Sequence, residues 1–231
     1  MLNKLKNYAV ILASGTGNRF GSKIPKQFIQ ISGKTILERS IEIFETNKYI
    51  DEIILVITPE YINLFKEIQN KNNFKKIKKV LPGGKTRKDS SYIGISAIMD
   101  VEANVLIHDC ARPFLNQKIL NKCINALNEH DAVNVAITAT DTIMQVKDGF
   151  IESIPERKYL MQSQTPQCFK LSLIKKAHEL SKNENNFTDD CSLVVKYDLT
   201  KIFIVEGDKT NIKITHPIDE FIAEYIIKTT V

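Results

Sequence analysis

The stretch that decides the fold is Tyr8-Ala9-Val10-Ile11-Leu12-Ala13, which leads directly into Ser14-Gly15-Thr16-Gly17-Asn18-Arg19-Phe20-Gly21. A short run that is apolar at every position is typical of a strand buried on both faces of a parallel sheet. A helix signal follows at Thr35, where Glu38 completes a capping box. A strand, a glycine-rich loop and a helix in this order expose backbone N–H groups that can hold phosphate.

The alternation of apolar strands and amphipathic helices continues as far as residue 139. Strands are predicted at 51–57, 77–81, 104–108 and 132–139, with a helix between each pair. This order predicts an α/β fold, with a Rossmann-like, mostly parallel sheet flanked by helices. Beyond it we expect helices at 171–182, 188–197 and 217–227, a strand at 201–205 and a short extended segment at 211–215.

The alternation breaks between residues 140 and 160. Two short β runs flank Lys147-Asp148-Gly149, which predicts a hairpin. A hairpin that projects from a doubly wound sheet is suited to joining two symmetric copies. We therefore expect a single domain over residues 1–231, with a protruding β-arm at about 139–160 through which a homodimer forms.

Composition limits the class of protein. The 231 residues are 43% hydrophobic with a net charge of +5, and no apolar run approaches the ~20 residues of a membrane span. The first residues lack the pattern of a signal peptide, so we expect a cytoplasmic protein without a membrane partner. The basic residues form no stripe interleaved with aromatics, which disfavours a nucleic-acid partner. The four cysteines have no metal-binding spacing, and we expect them to be reduced and packed.

The glycine-rich loop matches neither common nucleotide fingerprint. It lacks the G-x-x-x-x-G-K-[ST] pattern, and Gly15-x-Gly17-x-x-Phe20 lacks the third glycine of the dinucleotide motif. Arg19 and Lys26 instead place two cations on or beside the loop. These residues predict a binding loop for a nucleoside triphosphate, and taken alone they leave open a surface turn with solvated charges.

Six further motifs occur in a fixed order along the chain. They are Gly83-Gly84-Lys85-Thr86-Arg87-Lys88-Asp89-Ser90, His108-Asp109-Cys110-Ala111-Arg112-Pro113, Asp141-Thr142-Ile143, Gln164-Thr165-Pro166-Gln167, Thr188-Asp189-Asp190 and Asn211-Ile212-Lys213-Ile214-Thr215. Together with the loop they resemble the cytidylyltransferases that act on 2-C-methyl-D-erythritol 4-phosphate and on ribitol 5-phosphate, from about Tyr8 to about Ile227. The resemblance implies a glycosyltransferase-A-like fold and transfer of CMP from CTP to a polyol phosphate, with release of pyrophosphate.

The resemblance also implies a role for each site residue. The catalytic cations are Arg19, Lys26 and Lys213. The residues implied to bind CTP are Leu12, Ala13, Ser14, Gly15, Thr16, Gly17, Gly83, Gly84, Lys85, Ser90 and Asp109. Those implied to bind the polyol phosphate, some from the partner subunit, are Asp109, Arg112, Thr142, Arg157 and Thr165. Mg²⁺ is the implied cofactor, bound mainly through the CTP phosphates, and no side chain is assigned to it.

Several alternatives stay open at this stage. Asp109 is also placed to pair with Arg112, Arg157 is also readable as a solvated charge, and His108 is expected to be packed rather than a base. We expect the acceptor to be 2-C-methyl-D-erythritol 4-phosphate, with ribitol 5-phosphate as a close alternative. A non-catalytic nucleotide-binding protein is the alternative from another class, although its cationic residues would then have no chemical role.

Overall fold

The structure is a computed structural model that describes residues 5–15, 25–184 and 186–229. The first half of the chain forms β1 (Lys6–Ala13), β2 (Gln30–Ile31), β3 (Lys34–Thr35), α1 (Ile36–Glu45), β4 (Glu52–Ile57), α2 (Ile62–Asn72), β5 (Ile77–Pro82), α3 (Arg87–Ser96), β6 (Ala103–Asp109) and α4 (Gln117–Ala126). The second half forms β7 (Ala132–Thr138), β8 (Gln145–Lys147), β9 (Phe150–Ser153), β10 (Met161–Lys170), α5 (Leu171–Leu180), α6 (Asp190–Lys196), β11 (Phe203–Glu206) and α7 (Ile218–Thr229).

Seven of these strands form one sheet in the order β11-β7-β10-β6-β1-β4-β5. The strands run parallel except β10, which pairs antiparallel with both β6 and β7. The mostly parallel α/β sheet predicted from the sequence is therefore confirmed. Strand β10 was not predicted, because its sequence is rich in glutamine and contains Pro166, and its pairing shifts register between Ser163 and Gln167.

The two faces of the sheet carry separate hydrophobic cores. In β1, Ala9, Ile11 and Ala13 pack on the face covered by α1, α2, α4 and α7. Tyr8, Val10 and Leu12 pack on the opposite face, which α3, α5 and α6 cover. Both sets are buried, and this explains why the sequence of β1 is apolar at every position instead of alternating.

Side chains cap the N-terminal ends of α1 and α4. The side chain of Thr35 accepts a hydrogen bond from the Glu38 amide, and the predicted capping box is present. Asn116 caps α4 by accepting from the Ile119 amide at 2.9 Å. Each cap satisfies backbone N–H groups that have no partner inside the helix.

The predicted hairpin is also confirmed. Strands β8 and β9 pair antiparallel across Asp148 and Gly149, whose φ angles of 51° and 84° suit a tight hairpin turn. All residues from 140 to 154 are exposed. The segment 211–215 is in neither a helix nor a strand, and a hydrogen bond from the Ile214 amide to the Ala111 carbonyl holds it in place.

The remaining class predictions concern cysteines and membrane spans. All four cysteines are free and buried, as expected. In the part of the chain that the structure describes, no helix has the length and apolar content needed to cross a membrane.

Close packing of α3 on the sheet gives a test of the fold. A methyl group at Gly94 would lie 2.4 Å from Cγ1 of Val10 and 3.1 Å from Cγ2 of Val56. We expect Gly94→Ala to lower the free energy of unfolding by about 1–3 kcal/mol, because overpacking outweighs the better helix propensity of alanine. Urea unfolding measures this change. Gly15→Ala is the control, since among the described residues its added methyl group meets no atom within 4 Å beyond its chain neighbours; equal stabilities of the two variants would contradict the packing argument.

Candidate active site

A cleft of about 700 Å³ opens at the carboxyl ends of β1 and β6. Open α/β sheets place their ligands at this edge. The N-terminus of α3 forms one wall, and the segment after β11 closes the cleft from the far end of the chain. The lining residues are Leu12, Ala13, Ser14, Gly15, Lys26, Gln27, Gly84, Lys85, Thr86, Arg87, Ser90, Asp109, Cys110, Ala111, Phe187, Thr188, Lys213 and Thr215.

The two glycines after β5 are packed against the end of β1. The Ser90 hydroxyl accepts a hydrogen bond from the Gly84 amide at 3.1 Å and lies 2.8 Å from the Ser14 hydroxyl. A methyl group at Gly83 would lie 2.1 Å from Cβ of Ser14. Glycine is therefore required here for the close approach of two loops, and this packing joins the glycine turn to the cleft.

Two lysines reach the cleft from distant parts of the chain. The Lys26 ammonium donates to the Ile214 carbonyl at 2.9 Å. The Lys213 ammonium donates to Oδ2 of Asp109 at 2.5 Å. Gln27 is buried and donates to the Ala13 carbonyl at 3.0 Å, which fixes the residues beside Lys26 to the end of β1.

Arg87 is a site residue to which sequence analysis gave no role, although its motif was recognised. Its Nε donates to Oδ1 of Asp109 at 3.0 Å, and its Nη1 donates to Oδ2 of Asp190 at 2.7 Å. The guanidinium thus connects the end of β6 with the start of α6. The signal for this role was weak, because both partners are far away in sequence.

The electrostatics of the cleft centre on Asp109. Burial alone would raise the pKa of its carboxyl, but the charges of Arg87 and Lys213 hold that pKa well below its usual range. Asp109 is therefore an anion. The predicted alternative of a salt bridge to Arg112 is corrected, since the ion pairs of Asp109 are with Arg87 and Lys213.

A buried relay fixes the backbone of Asp109. The Asp109 amide donates to Oγ1 of Thr165 at 3.1 Å, and that oxygen lies 2.9 Å from Nδ1 of His108. Nε2 of His108 lies 3.0 Å from the Arg112 carbonyl. A carbonyl only accepts, so Nε2 carries the proton and Nδ1 accepts from Thr165. Burial lowers the pKa of His108 to about 4, so it is neutral and packed as expected.

Apart from Arg112, the predicted site residues fall into four groups. Leu12, Ala13, Ser14, Gly15, Gly84, Lys85, Ser90, Asp109, Lys26 and Lys213 line the cleft, with Gly83 directly behind Ser14. Thr165 lies behind Asp109. Thr142 and Arg157 are exposed on the arm, and Thr16, Gly17 and Arg19 lie outside the described residues.

Arg112 and Arg157 both bind backbone carbonyls. Arg112 donates to the carbonyls of Asn211 at 2.9 Å and Ser163 at 3.1 Å, which ties β10 to the segment before Lys213. Arg157 donates to the Thr140 carbonyl at 3.0 Å across the root of the arm. Arg112 therefore stabilises the segment before Lys213, and Arg157 stabilises the root of the arm.

The fold and the cleft define a class of protein. An open, mostly parallel sheet that presents a helix N-terminus and several cations at its carboxyl edge is the architecture of nucleotide-binding α/β proteins. Comparison with known proteins narrows this class. The sequence profile of IspD, described as 2-C-methyl-D-erythritol 4-phosphate cytidylyltransferase, matches residues 8–229.

Individual relatives agree with this match. The 2-C-methyl-D-erythritol 4-phosphate cytidylyltransferase of Clostridium perfringens (strain SM101 / Type A) is 43% identical over 96% of this chain and 99% of that relative. The bifunctional ribulose 5-phosphate reductase/CDP-ribitol pyrophosphorylase Bcs1 of Haemophilus influenzae is 42% identical over 99% of this chain, which spans only 49% of that relative.

A solved structure gives the same answer. The crystal structure of 4-diphosphocytidyl-2C-methyl-D-erythritol synthase from Anaerococcus prevotii DSM 20548 superposes with a TM-score of 0.85 at 32% sequence identity. The superposition covers 97% of this chain and 96% of the chain in that crystal structure. The chain belongs to the IspD family, whose members are cytidylyltransferases.

The neutral His108 predicts how stability changes with pH. Its pKa is about 4 in the folded protein and about 6.5 in the unfolded chain, so the unfolded chain alone takes up the proton between these values. Stability is therefore lost as pH falls from about 6.5 to 4, by about 3 kcal/mol in total. Urea unfolding at several pH values measures the slope. We expect His108→Gln to flatten it and the exposed His216→Gln to leave it unchanged; an unchanged slope in His108→Gln would contradict the assignment.

Proposed function

We propose that the chain transfers CMP from CTP to a polyol phosphate and releases pyrophosphate. An oxygen of the acceptor phosphate attacks the α-phosphorus of CTP, and the bond to the bridging oxygen of the β-phosphate breaks. The observation that carries the proposal is the cleft, which Lys26, Lys213 and Gly84 line together. The chain that forms this cleft belongs to a cytidylyltransferase family. The product is a CDP-polyol.

The cations supply the catalysis in this proposal. The acceptor phosphate is already an anion, so the reaction needs no strong general base and depends on positioning and on neutralising the charge that gathers at phosphorus. Lys26 and Lys213 serve this role from the two ends of the chain, and their separate anchors at Ile214 and Asp109 support it. Arg19 completes the set in the proposal.

The nucleotide occupies the wall formed by β1 and the glycine turn. The Gly83-Gly84 backbone and the Ser90 hydroxyl recognise the cytosine edge, and Leu12 to Gly17 hold the nucleotide and its phosphates. Lys85 lines the cleft beside the turn and is exposed, so its contribution is electrostatic. Asp109 contacts hydroxyl groups of the nucleotide or the acceptor at the boundary between the two substrates.

The acceptor lies on the other side of Asp109. Arg112 and Thr165 belong to the same subunit, and Thr142 and Arg157 reach a partner's cleft through the arm. The supporting observation is that all residues from 140 to 154 are exposed and include several large apolar side chains. We propose that residues 1–231 act as one unit and assemble as a homodimer through the arm at about 139–160.

Mg²⁺ is the proposed cofactor. Among the described residues no group of three or more acidic, histidine or cysteine side chains could hold a metal ion. Both carboxylate oxygens of Asp109 are engaged by Arg87 and Lys213. This donor set fits an ion carried by the triphosphate rather than one caged by the protein. When bound, such an ion neutralises charge on the phosphates of the leaving group.

The acceptor we propose is 2-C-methyl-D-erythritol 4-phosphate. The family profile and the relatives with full-length coverage support it. Ribitol 5-phosphate is the second candidate, because a relative named as a CDP-ribitol pyrophosphorylase is 42% identical over 99% of this chain. Pyrophosphate release from CTP, assayed with the two acceptors side by side, decides between them, and release with neither would refute the proposed function.

Substitution of Lys213 tests whether the cations of the cleft supply the catalysis. We expect Lys213→Met to lower kcat by about 10²–10³-fold, because one donor to the developing charge is lost. Steady-state pyrophosphate release with the active acceptor measures the effect. Lys34→Met is the matched control, since Lys34 forms an exposed ion pair with Glu42 outside the cleft. A kcat of Lys213→Met within threefold of the wild type would remove Lys213 from the mechanism.

The arm provides a test of the dimer. Phe150 is 78% exposed and Ile151 is 57% exposed, so both would gain from burial in an interface. We expect the wild type to sediment as a dimer and Phe150→Ser/Ile151→Ser to sediment as a monomer with reduced activity. Met99→Ser/Val101→Ser is the control, because these residues are 83% and 89% exposed and lie outside the arm. A variant that remains dimeric would show that the arm does not form the interface.

A further inference from the structure

Arg87 makes contacts that the proposed chemistry does not explain. Its side chain is only 22% exposed, yet it lines the cleft and carries two ion pairs. It is the first residue of α3 and follows Thr86, which caps that helix. The guanidinium therefore stands directly after the glycine turn, where it contacts the carboxylate at the centre of the cleft.

The second partner of Arg87 is satisfied in other ways. Oδ1 of Asp190 accepts from the Ser91 hydroxyl at 2.5 Å and from Nε2 of His178 at 3.0 Å. These contacts hold the start of α6 against α3 and α5 without Arg87. The pair with Asp190 is thus one part of a buried polar cluster, whereas the pair with Asp109 reaches the substrates' cleft.

The contact with Asp109 fixes the direction of that carboxylate. Nε of Arg87 donates to Oδ1 of Asp109, and the Lys213 ammonium donates to Oδ2. Without Arg87 the carboxylate could rotate, and Lys213 could pair with either oxygen. The order along the cleft is therefore Arg87, Asp109, Lys213, with two cations on opposite oxygens of one anion.

We propose that Arg87 is a positioning residue for cytidylyl transfer, which orients Asp109 so that its second oxygen holds Lys213 in place. This role rests on the proposed function. The fork of an arginine suits it, because Nε and Nη1 point to two different carboxylates at once. A lysine at position 87 offers a single point charge and can satisfy only one of them.

The experiment separates positioning from stability by two substitutions. Arg87→Met alone leaves two buried carboxylates short of a partner and is expected to destabilise the fold. Arg87→Met/Asp190→Asn removes one of those charges and is the variant to assay, with Asp190→Asn as its reference. Arg39→Met is the control for loss of an arginine, since Arg39 binds the carbonyls of Ile31 and Ser32 away from the cleft.

We expect Asp190→Asn to keep kcat within about threefold of the wild type, even if its melting temperature falls. The double variant is expected to lose about 10–100-fold in kcat, with a KM for CTP that changes far less, because geometry at the reacting groups is lost rather than nucleotide affinity. Arg87→Lys should recover part of the kcat through the Asp109 contact alone.

A pH profile gives a readout that a purely structural role would not move. The charged or titratable groups around Asp109 are Arg87, Lys213, Arg112, His108 and Cys110. Removing Arg87 leaves burial opposed mainly by Lys213, so the pKa of Asp109 rises. As the pH falls, the double variant should therefore begin to lose kcat at a higher pH than Asp190→Asn, whose profile should follow the wild type.

The outcomes distinguish this inference from the proposed function. An active wild type, with equal kcat and equal pH profiles for the double variant and Asp190→Asn, would overturn the role of Arg87. A kcat loss that Arg39→Met shares would also overturn it. A wild type that releases no pyrophosphate with either acceptor would refute the proposed function itself.

Discussion

The buried carboxylate of Asp109 is the constraint on which the cleft depends. It is the last residue of β6, the central strand of the seven-stranded sheet, and it is only 8% exposed. A buried anion without partners would cost several kcal/mol, so cations must come to it. Arg87 and Lys213 do so from positions 22 and 104 residues away in the sequence. The anion thus holds two cations at the wall of the cleft.

The features that sequence predicted well are those with local causes. The apolar run of β1, the capping box of Thr35 and Glu38 and the turn at Asp148 and Gly149 each depend on residues close in sequence. Strand β10 escaped prediction because its place between β6 and β7 is decided by its neighbours in the sheet. Its own glutamines and proline gave no strand signal.

The site divides in the same way. Gly84, Ser90 and Lys213 were identified because their motifs resemble those of a family. In the structure all three line one cleft. The role of Arg87 could not be read from its motif, because both of its carboxylate partners are chosen by the fold. Arg112 was identified by its motif as a ligand contact, and that role stays a prediction; its described hydrogen bonds are to the carbonyls of Asn211 and Ser163.

The root of the arm has a consequence for how such proteins diverge. Thr138 pairs with Met161, and the Ala139 amide donates to the Leu160 carbonyl at 3.1 Å, so the arm leaves and re-enters the sheet at adjacent points. A segment whose ends already meet can change in length and sequence at little entropic cost to the rest of the fold. Chains with the same cleft can therefore carry arms of different length and sequence without a change in the seven-stranded sheet.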